Sequence, residues 1–511
     1  MTELDVVSDV VTHPEETYRR SRRASRRQQV QLNGEFHERV LKTKYWPALV
    51  WSLVWSLVLS VFSVANPLLM PFATNIQTQN LYAGMAMANG QIPYGDFFGT
   101  SGLLFYLLAF LGHLGGTFII FGILQFIALL IAGVYFYKIV AYFSQSEHLA
   151  TSSSHWFYVF IFALGFGGMY AEMFALPFLL TSVWFLVRYF ENAVRDEAFI
   201  LYGIDAALVF LIYPKSLILW LVAGLVLFIF NNQHRQVTRG IYQLLATIFG
   251  FLLILYAVGY YAFEAQILGT AIQQTFLYNL QLDFHHSYLY LALAIVSVFL
   301  LLSGFFKSFI QMVFSFKQGR HTYIKVLLLL TFLVQCVFIV GNANFQWSQL
   351  ILLLPYGFAM SVVYLRDEDV EDYRGYLRRQ FFLPLAICLG IIAQPAYLYL
   401  VQGDLRTNRE QVANYIGEQT KDSDKIYVWD NSASIYLSSQ RLSAATITTA
   451  EPYLNTDDNK NSLMYNINKN EAKFVVVNKN LPILDEIKTN LESQYQSVQT
   501  TDYFTIYQKN E

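Results

Sequence analysis

The stretch "NIQTQNLYAGMAMANGQIPYGDFFGTSGLLFY", Asn75 to Tyr106, decides the fold. It begins as a polar segment with helical spacing, passes through a Gly-Gln-Ile-Pro-Tyr turn, and ends in a run of aromatic and aliphatic residues. A single carboxylate, Asp96, lies in the middle and is flanked by Tyr94 and Phe97. Placing a carboxylate next to apolar runs costs free energy, so we expect Asp96 to have a structural or chemical role.

The composition is that of a membrane protein. The chain has 511 residues, of which 55% are hydrophobic and only 14% are charged, whereas a soluble chain carries about 25% charged residues. Apolar runs of roughly 17–25 residues recur along it, which predicts an all-α polytopic membrane protein. The first 44 residues instead form a basic, polar tail, with six arginines in "YRRSRRASRR", Tyr18 to Arg27.

The basic residues predict the topology. Positive charge beside a first span keeps that end in the cytoplasm, so residues 1–44 are expected to be cytoplasmic and to contact anionic lipid. Nucleic acid would be the alternative partner for these arginines, but nothing else in the chain supports it. Later basic loops predict further cytoplasmic segments, listed by their limits: Arg188 to Glu197, Asn231 to Gly240, Lys307 to Lys325 and Arg366 to Arg379.

Counting the apolar runs between these loops gives about 11 transmembrane helices in residues 45–402, with a last span at about 381–401. One of the two pieces 102–113 and 155–168 must fail to span, because the segment 46–190 has to begin and end in the cytoplasm. The N-terminus is then cytoplasmic and the C-terminus extracytoplasmic, in a multi-pass protein of the cell membrane. The first external loop covers residues 66–101, and Asn75 to Ala88 is predicted to form an amphipathic helix with its Gln and Asn side chains facing water.

The C-terminal segment, residues 403–511, has a different character. It is polar, and three short β-rich runs are predicted to be strands: Lys425 to Asp430, Lys473 to Lys479 and Tyr503 to Lys509. Ile483 to Tyr495 has the spacing of an amphipathic helix. We therefore expect a small extracytoplasmic α/β domain.

Three charged residues near predicted outer helix ends are candidates for chemistry. Asp96 is either a turn cap or a general base or ligand for a substrate hydroxyl. Lys215, in "IYPKSLILW", either extends to the membrane interface or holds a lipid phosphate as a point charge. Glu172, in "GGMYAEMFALPFLL", is a candidate partner for Lys215 or for a bound sugar.

His285 and His286 end the second external loop and are also candidate substrate ligands. Adjacent histidines point in different directions on a helix, so a shared metal ion is not expected. The sequence has no H-E-x-x-H motif, no carboxylate–histidine cluster at ligand spacing and no phosphate-binding glycine loop. We therefore predict no metal site and no nucleotide site.

Together these elements resemble the GT-C superfamily of integral-membrane glycosyltransferases, in the branch related to protein mannosyltransferases and lipid A aminoarabinose transferases. The resemblance rests on the basic start, the first-loop helix, "G-x-x-PY-x-D" (Gly90 to Asp96), "AEMFALPFLL" (Ala171 to Leu180), "YPKS" (Tyr213 to Ser216), "GNANFQWSQLILLLP" (Gly341 to Pro355) and the α/β tail.

The resemblance implies a sugar donor linked to polyprenyl phosphate and transfer with inversion on the outer face. It implies that an acid in the first external loop, here Asp96 with Tyr94 beside it, binds or deprotonates the acceptor. The acceptor would be a surface glycan, a glycolipid or a protein. Basic residues near outer helix ends, such as Lys215, would hold the lipid phosphate as it leaves.

The chain departs from the family pattern at two places. Asn75 stands where relatives usually have an acid, and Ser348-Gln349 stands where many have a His-Tyr pair. Asn can bind an acceptor but cannot act as a base. Asp96 carries the role, or the reaction tolerates a neutral residue, or the chain is a catalytically inactive lipid-linked-glycan binding or scaffold protein. A lipid or glycan transporter is a further alternative.

Overall fold

The computed structural model describes residues 46–286, 288–318, 321–342, 344–365, 370–380, 390, 401–450 and 453–510. The predicted cytoplasmic tail, residues 1–44, lies outside the described residues. Nearly all of the predicted last span, at about 381–401, lies outside them as well.

Helices dominate the chain up to residue 380. Their bounds are Trp46–Val61, Asn75–Ala88, Leu103–His113, Ile119–Ser144, Glu147–Leu164, Ala171–Phe190, Phe199–Ile212, Ile218–Gln233, Val237–Glu264, Leu289–Leu302, Phe305–Phe314, Thr322–Val340, Leu354–Val363 and Tyr373–Gln380. Short helical turns connect several of them: Met70–Phe72, Asp196–Ala198, Pro214–Leu217, Leu268–Ala271, Ile272–Leu277, Tyr278–Leu280, Ser315–Gln318 and Trp347–Leu353.

Several helices have the length and composition of membrane spans. Among the described residues, five qualify: Ile119–Ser144, Ala171–Phe190, Pro214–Gln233, Val237–Glu264 and Thr322–Val340. A sixth is obtained if Leu289–Leu302 and Phe305–Phe314, which are bent by 69° at their junction, form one span. The helical membrane class is confirmed, and the number of about 11 crossings stays a prediction.

The two ambiguous pieces of the first half have different structures. The piece 102–113 is an isolated helix of 11 residues, Leu103–His113. Residues 155–164 of the piece 155–168 form the second half of an 18-residue helix, Glu147–Leu164, and residues 165–168 lie beyond its end. A helix of 11 residues is about 17 Å long, which is short of the hydrocarbon core, whereas 18 residues reach about 27 Å.

Glycines allow one of the spanning helices to pack closely against a shorter helix. A Cβ atom on Gly203 would lie 2.0 Å from the carbonyl oxygen of Thr247, and one on Gly250 would lie 2.1 Å from that of Ile200. The helices Phe199–Ile212 and Val237–Glu264 therefore approach backbone to backbone, as small residues allow in membranes. A side chain at either glycine would force the pair apart.

The first-loop helix, Asn75–Ala88, begins where the sequence places it. The Thr74 hydroxyl accepts from the amide of Gln77, and the Gln77 side chain accepts from the amide of Thr74, which makes a capping box. The expectation that its Gln and Asn side chains face water is wrong for Gln77 and Asn80, whereas Asn75 is exposed. Gln77 and Asn80 are buried and donate to carbonyl groups of residues 166, 168 and 169.

The C-terminal segment contains a five-stranded sheet. The strands are β1 (Lys425–Trp429), β2 (Leu442–Ser443), β3 (Phe474–Asn478), β4 (Tyr495–Thr500) and β5 (Phe504–Lys509), in the spatial order β2-β1-β3-β5-β4. β1 pairs in parallel with β2 and β3, and β5 pairs antiparallel with β3 and β4. The three predicted strands are confirmed as β1, β3 and β5, whereas β2 and β4 were not predicted.

Helices cover both faces of this sheet. Their bounds are Gly403–Gln419, Ser434–Ser439, Tyr453–Asn455, Asp457–Asn468 and Asp485–Gln494. Side chains alternate along β1, so that Ile426 and Val428 join one apolar cluster and Tyr427 and Trp429 join the other. The last helix confirms the one that was predicted near Ile483 to Tyr495.

The sheet domain rests on the first-loop helix. The Thr78 hydroxyl lies 3.2 Å from that of Ser432, and the amide of Ser443 donates to the Tyr82 hydroxyl at 2.9 Å. Gln79 donates to Thr449 at 2.9 Å. The first loop is therefore held between the membrane helices and the C-terminal domain.

Candidate active site

A small polar cavity lies between the ends of several membrane helices. Its volume is about 40 Å³, and Glu172 and Lys215 both line it. Glu172 lies in the first turn of the helix Ala171–Phe190. Lys215 lies in the turn Pro214–Leu217, which separates two helices because Pro214 interrupts the backbone hydrogen bonding of the preceding helix.

The Glu172 carboxyl group is buried and hydrogen-bonded. Only 3% of this residue is exposed. The Ser348 hydroxyl donates to its Oε1 atom at 3.1 Å, and the Tyr213 hydroxyl donates to the same carboxyl group. These donors partly offset the cost of removing a carboxylate from water.

Lys215 supplies a positive charge next to this acid. The charges of Lys215 and Glu172 attract each other, and Lys215 Nζ lies 5.9 Å from the centre of the Tyr213 ring. Within the described residues, Lys215 forms no direct ion pair or hydrogen bond. Its three N–H donors therefore stay available to an anionic ligand.

Amide side chains hold the remaining wall in place. Asn279 donates to the carbonyl of Thr100 at 2.7 Å, and Asn344 donates to the Tyr278 hydroxyl at 2.7 Å. The cavity thereby joins the first loop, the segment 278–279 and the segment after the helix Thr322–Val340.

A long apolar groove adjoins the cavity. Its volume is about 850 Å³, and the helices Glu147–Leu164 and Leu289–Leu302 form much of its wall. Ile76 and Gln346 line both the groove and the cavity. Ser348 lies on the groove and also donates to Glu172, so the apolar groove leads directly to the buried acid.

Of the predicted site residues, the structure brings Glu172 and Lys215 together at the cavity and places Asn75 on the neighbouring groove. Asn75 is exposed, at the first position of its helix.

Asp96 does not line the cavity. Its carboxylate is exposed and accepts a hydrogen bond from the amide of Ile92 at 2.7 Å, which closes the local turn. This geometry matches the capping interpretation of the sequence.

Tyr94 has a structural position in the same turn. Its φ angle is 66°, in the left-handed region that is costly for a non-glycine residue. Its hydroxyl donates to the carbonyl of Ser101 at 2.8 Å, and burial raises the pKa of this phenol well above its usual value. The ring is thus fixed beside the cavity without lining it.

The two histidines are not part of the cavity wall. The amide of exposed His285 donates to the Asp283 side chain at 2.8 Å, and a ring nitrogen of His286 lies 3.1 Å from the carbonyl oxygen of Val340. Within the described residues, no group of three His, Cys, Asp or Glu side chains is placed to hold a metal ion.

Sequence reasoning missed several residues of the site. Tyr213 donates to Glu172, and its position next to "PKS" was the available signal. Ser348 was noted only as a departure from the family pattern, and its contact with Glu172 joins positions 176 residues apart. Tyr278 and Tyr453 carry no local motif that distinguishes them from the other tyrosines.

Two family models match the chain in succession. Residues 37–403 match "Putative competence-induced protein Ccs4 N-terminal domain", and residues 406–510 match the Ccs4 C-terminal domain. No curated protein matches this sequence.

Two solved structures are similar to the chain, and the first shows the same fold. The crystal structure of ArnT from Cupriavidus metallidurans bound to undecaprenyl phosphate matches with a TM-score of 0.53 and 9% identity, over 90% of this chain and 97% of that one. The Archaeoglobus fulgidus oligosaccharyltransferase, in complex with Zn and sulfate, matches with a TM-score of 0.45 and 12% identity, over 90% of this chain and 73% of that one. The GT-C glycosyltransferase fold expected from the sequence is confirmed.

Proposed function

We propose that this protein, which belongs to the Ccs4 family, is a membrane glycosyltransferase that moves a sugar from polyprenyl phosphate to a cell-surface acceptor. One observation carries the proposal: a buried acid and a lysine share a polar cavity at the end of a long apolar groove. The groove suits an isoprenoid chain, and the cavity suits the phosphate and sugar at its head.

The groove and Lys215 give the donor its position. The ArnT structure of the same fold holds undecaprenyl phosphate, and an isoprenoid tail is stabilised by apolar burial. The Lys215 ammonium group, which forms no direct ion pair or hydrogen bond within the described residues, would pair with the phosphate. This pairing favours departure of the phosphate because negative charge develops on it as the bond to the sugar breaks.

Glu172 would act on the acceptor. The acceptor hydroxyl oxygen bonds to the anomeric carbon while the bond from that carbon to the phosphate oxygen breaks, and Glu172 takes the hydroxyl proton. The products are the glycosylated acceptor and polyprenyl phosphate, so atoms and charge balance. Ser348 and Tyr213 hold the carboxylate in place during the transfer.

The proposed orientation follows the basic residues. Arg195 and Arg239 lie at the opposite end of the helix Phe199–Ile212 from Tyr213, and Arg239 pairs with Asp196 at 2.9 Å. A cytoplasmic location of that basic end puts the cavity and the C-terminal domain on the extracytoplasmic side.

The test uses the full-length protein in lipid nanodiscs. Lys215→Met should weaken undecaprenyl phosphate binding by about tenfold, which corresponds to about 1.4 kcal/mol. Glu172→Gln should leave that binding intact and slow transfer from extracted polyprenyl-phosphate sugars by about 10²–10⁴-fold.

The matched control for the lysine is Lys138→Met. Lys138 lies over the Tyr135 ring on the helix Ile119–Ser144 and does not line the cavity. Equal loss of lipid binding in the Lys138 and Lys215 variants would count against the phosphate site, and normal transfer by Glu172→Gln would remove the proposed base.

A binding protein without catalysis is the second candidate, because Asn75 and Ser348 replace family side chains on the groove. It predicts that the wild type binds undecaprenyl phosphate but transfers no sugar from any extract. It also predicts that Asn75→Asp binds the lipid and remains inactive. Transfer by the wild type would eliminate this candidate.

A further inference from the structure

A second cleft lies on the aqueous side of the cavity. Its volume is about 440 Å³, in the range of small-molecule sites. The segment 270–281 forms one wall, the C-terminal domain forms the other, and Tyr94, Gly95 and Phe98 form the floor.

The cavity next to Glu172 is too small for a sugar in this conformation. Its volume of about 40 Å³ has room for only a few water molecules, since about 10–15 Å³ of such space holds one. A hexose and its acceptor therefore need an opening in the cavity wall. The cleft is large enough to receive sugar units before that opening occurs.

An aromatic partition separates the two spaces. Tyr278 lines both the cleft and the cavity. The Phe98 ring packs against Tyr278 at 5.5 Å and against Tyr453 at 4.9 Å between ring centres. A shift of these rings would join the cleft to Glu172, while the apolar groove reaches the cavity from the other side.

Hydrogen bonds hold the floor of the cleft to its helical wall, the segment 270–281. The Gln274 side chain donates to the carbonyl of Tyr94 at 3.1 Å and accepts from the amide of Gly99 at 3.0 Å. The segment Ile272–Leu277 is a π-helix, and such turns are rare and frequent at functional sites. Because a π-helix has more residues per turn than an α-helix, it also changes which side chains of this segment share one face.

The lining suits neutral, polyhydroxylated ligands. Gln273, Gln281, Thr456 and Ser462 present amide and hydroxyl groups to the cleft, and each can donate and accept hydrogen bonds as sugar hydroxyls require. Phe98 and Tyr278 offer ring faces for the C–H surfaces of a sugar. Among the described residues that line the cleft, Asp458 is the charged one. Its negative charge disfavours the binding of anionic polymers.

We propose that this cleft binds the sugar units of a water-soluble surface glycan, which is the acceptor, and directs one hydroxyl past Tyr278 to Glu172. This inference rests on the proposed transferase function and chooses a glycan over a glycolipid or a protein. The donor then arrives through the membrane-facing groove and the acceptor through the aqueous cleft, so the two substrates meet at the buried acid.

The test measures oligosaccharide binding to the full-length protein in nanodiscs. The probe is the neutral oligosaccharide fraction released by mild acid from the surface polysaccharide of cells that lack the protein. Ser462→Trp fills the cleft and should raise the Kd by about tenfold or more. Ser462→Ala, which removes only the hydroxyl, should change the Kd by no more than about fivefold, as one neutral hydrogen bond allows.

The matched control is Asn461→Trp, because Asn461 is exposed on the same helix and does not line the cleft. It should bind oligosaccharide as the wild type does. Undecaprenyl phosphate binding is measured in parallel and should be equal in all four proteins, since the lipid groove is separate.

The results separate the two proposals. If Ser462→Trp binds oligosaccharide normally, or the wild type binds none, the cleft inference is wrong. Recovery of transferred sugar only in the lipid or protein fraction also overturns it, and leaves the proposed transferase standing. If the wild type does not bind undecaprenyl phosphate, the proposed transferase function is wrong. A higher oligosaccharide Kd in Ser462→Trp than in the wild type would still support the glycan site in that case.

Discussion

At the residue scale, the two candidate acids have different environments. Glu172 is buried, accepts from two side chains and faces Lys215. Asp96 is exposed and accepts from the amide of Ile92. The hydrogen bond of Asp96 orders a turn, whereas the bonds of Glu172 orient a carboxylate toward a cavity.

The difference predicts the behaviour of Asp96→Ala. The variant loses one hydrogen bond of the turn, worth about 1 kcal/mol of stability, and should keep sugar transfer close to the wild-type rate. Transfer is measured with extracted polyprenyl-phosphate sugars, and Glu172→Gln serves as the inactive reference. A loss in Asp96→Ala as large as in Glu172→Gln would return Asp96 to the catalytic role that the family resemblance implies.

At the element scale, the first-loop helix links the two parts of the chain. Its Tyr82 hydroxyl accepts from the amide of Ser443 at 2.9 Å and lies 3.4 Å from the side-chain oxygen of Gln91. Tyr82 is buried, which raises the pKa of its phenol well above the usual value. The ring fixes the position of the C-terminal domain over the loop.

We expect Tyr82→Phe to lower the free energy of unfolding by about 1–3 kcal/mol, because the amide of Ser443 is then buried without a partner. Thermal unfolding of the purified protein measures the loss, and faster amide exchange near Ser443 locates it. Tyr242→Phe is the control, since Tyr242 is 49% exposed. Equal stability of the two variants would show that the bond to Ser443 contributes nothing.

At the scale of the whole molecule, the C-terminal domain closes over the first loop. Thr78 and Ser432 are 354 positions apart, yet their hydroxyl oxygens lie 3.2 Å from each other. The amide of Ala433 also donates to the Thr78 hydroxyl at 3.1 Å. These contacts hold the C-terminal domain, which forms one side of the cleft, against the first-loop helix, whose first turns line the groove and the cavity.

This arrangement predicts a disulfide in the double variant Thr78→Cys, Ser432→Cys. The contact between the two hydroxyl groups places these side chains next to each other, so a small adjustment would let the two sulfur atoms approach to the bond length of about 2.05 Å. Proteolytic cleavage between the two positions followed by non-reducing electrophoresis should show linked fragments. The single variants should give separate fragments, and separate fragments from the oxidised double variant would contradict the domain arrangement.

Much of the architecture could be predicted from local patterns. Apolar runs located the helices Ile119–Ser144 and Thr322–Val340, and β-rich runs located β1, β3 and β5. β2 has two residues and β4 is almost wholly exposed, so neither produces a periodic signal. The pairing of β5 between β3 and β4 depends on contacts across the domain.

The site was only partly predictable for the same reason. Glu172 and Lys215 stood out because a charge within an apolar run is costly and needs compensation. Ser348 and Tyr213 did not stand out, because polar residues at helix ends are common. The burial of Gln77 and Asn80 was also missed, since a sequence does not show that the segment 166–169 will lie against the helix.

The sequence by itself determined that this chain is a helical membrane protein with a small α/β domain at its end, because apolar length and strand periodicity are local properties. It also determined which ionisable groups needed an explanation. Only the tertiary structure decided among them, because a cavity is formed by residues that are distant in the chain. Packing joined Glu172 to Lys215 and Ser348, and left Asp96 as the cap of an exposed turn.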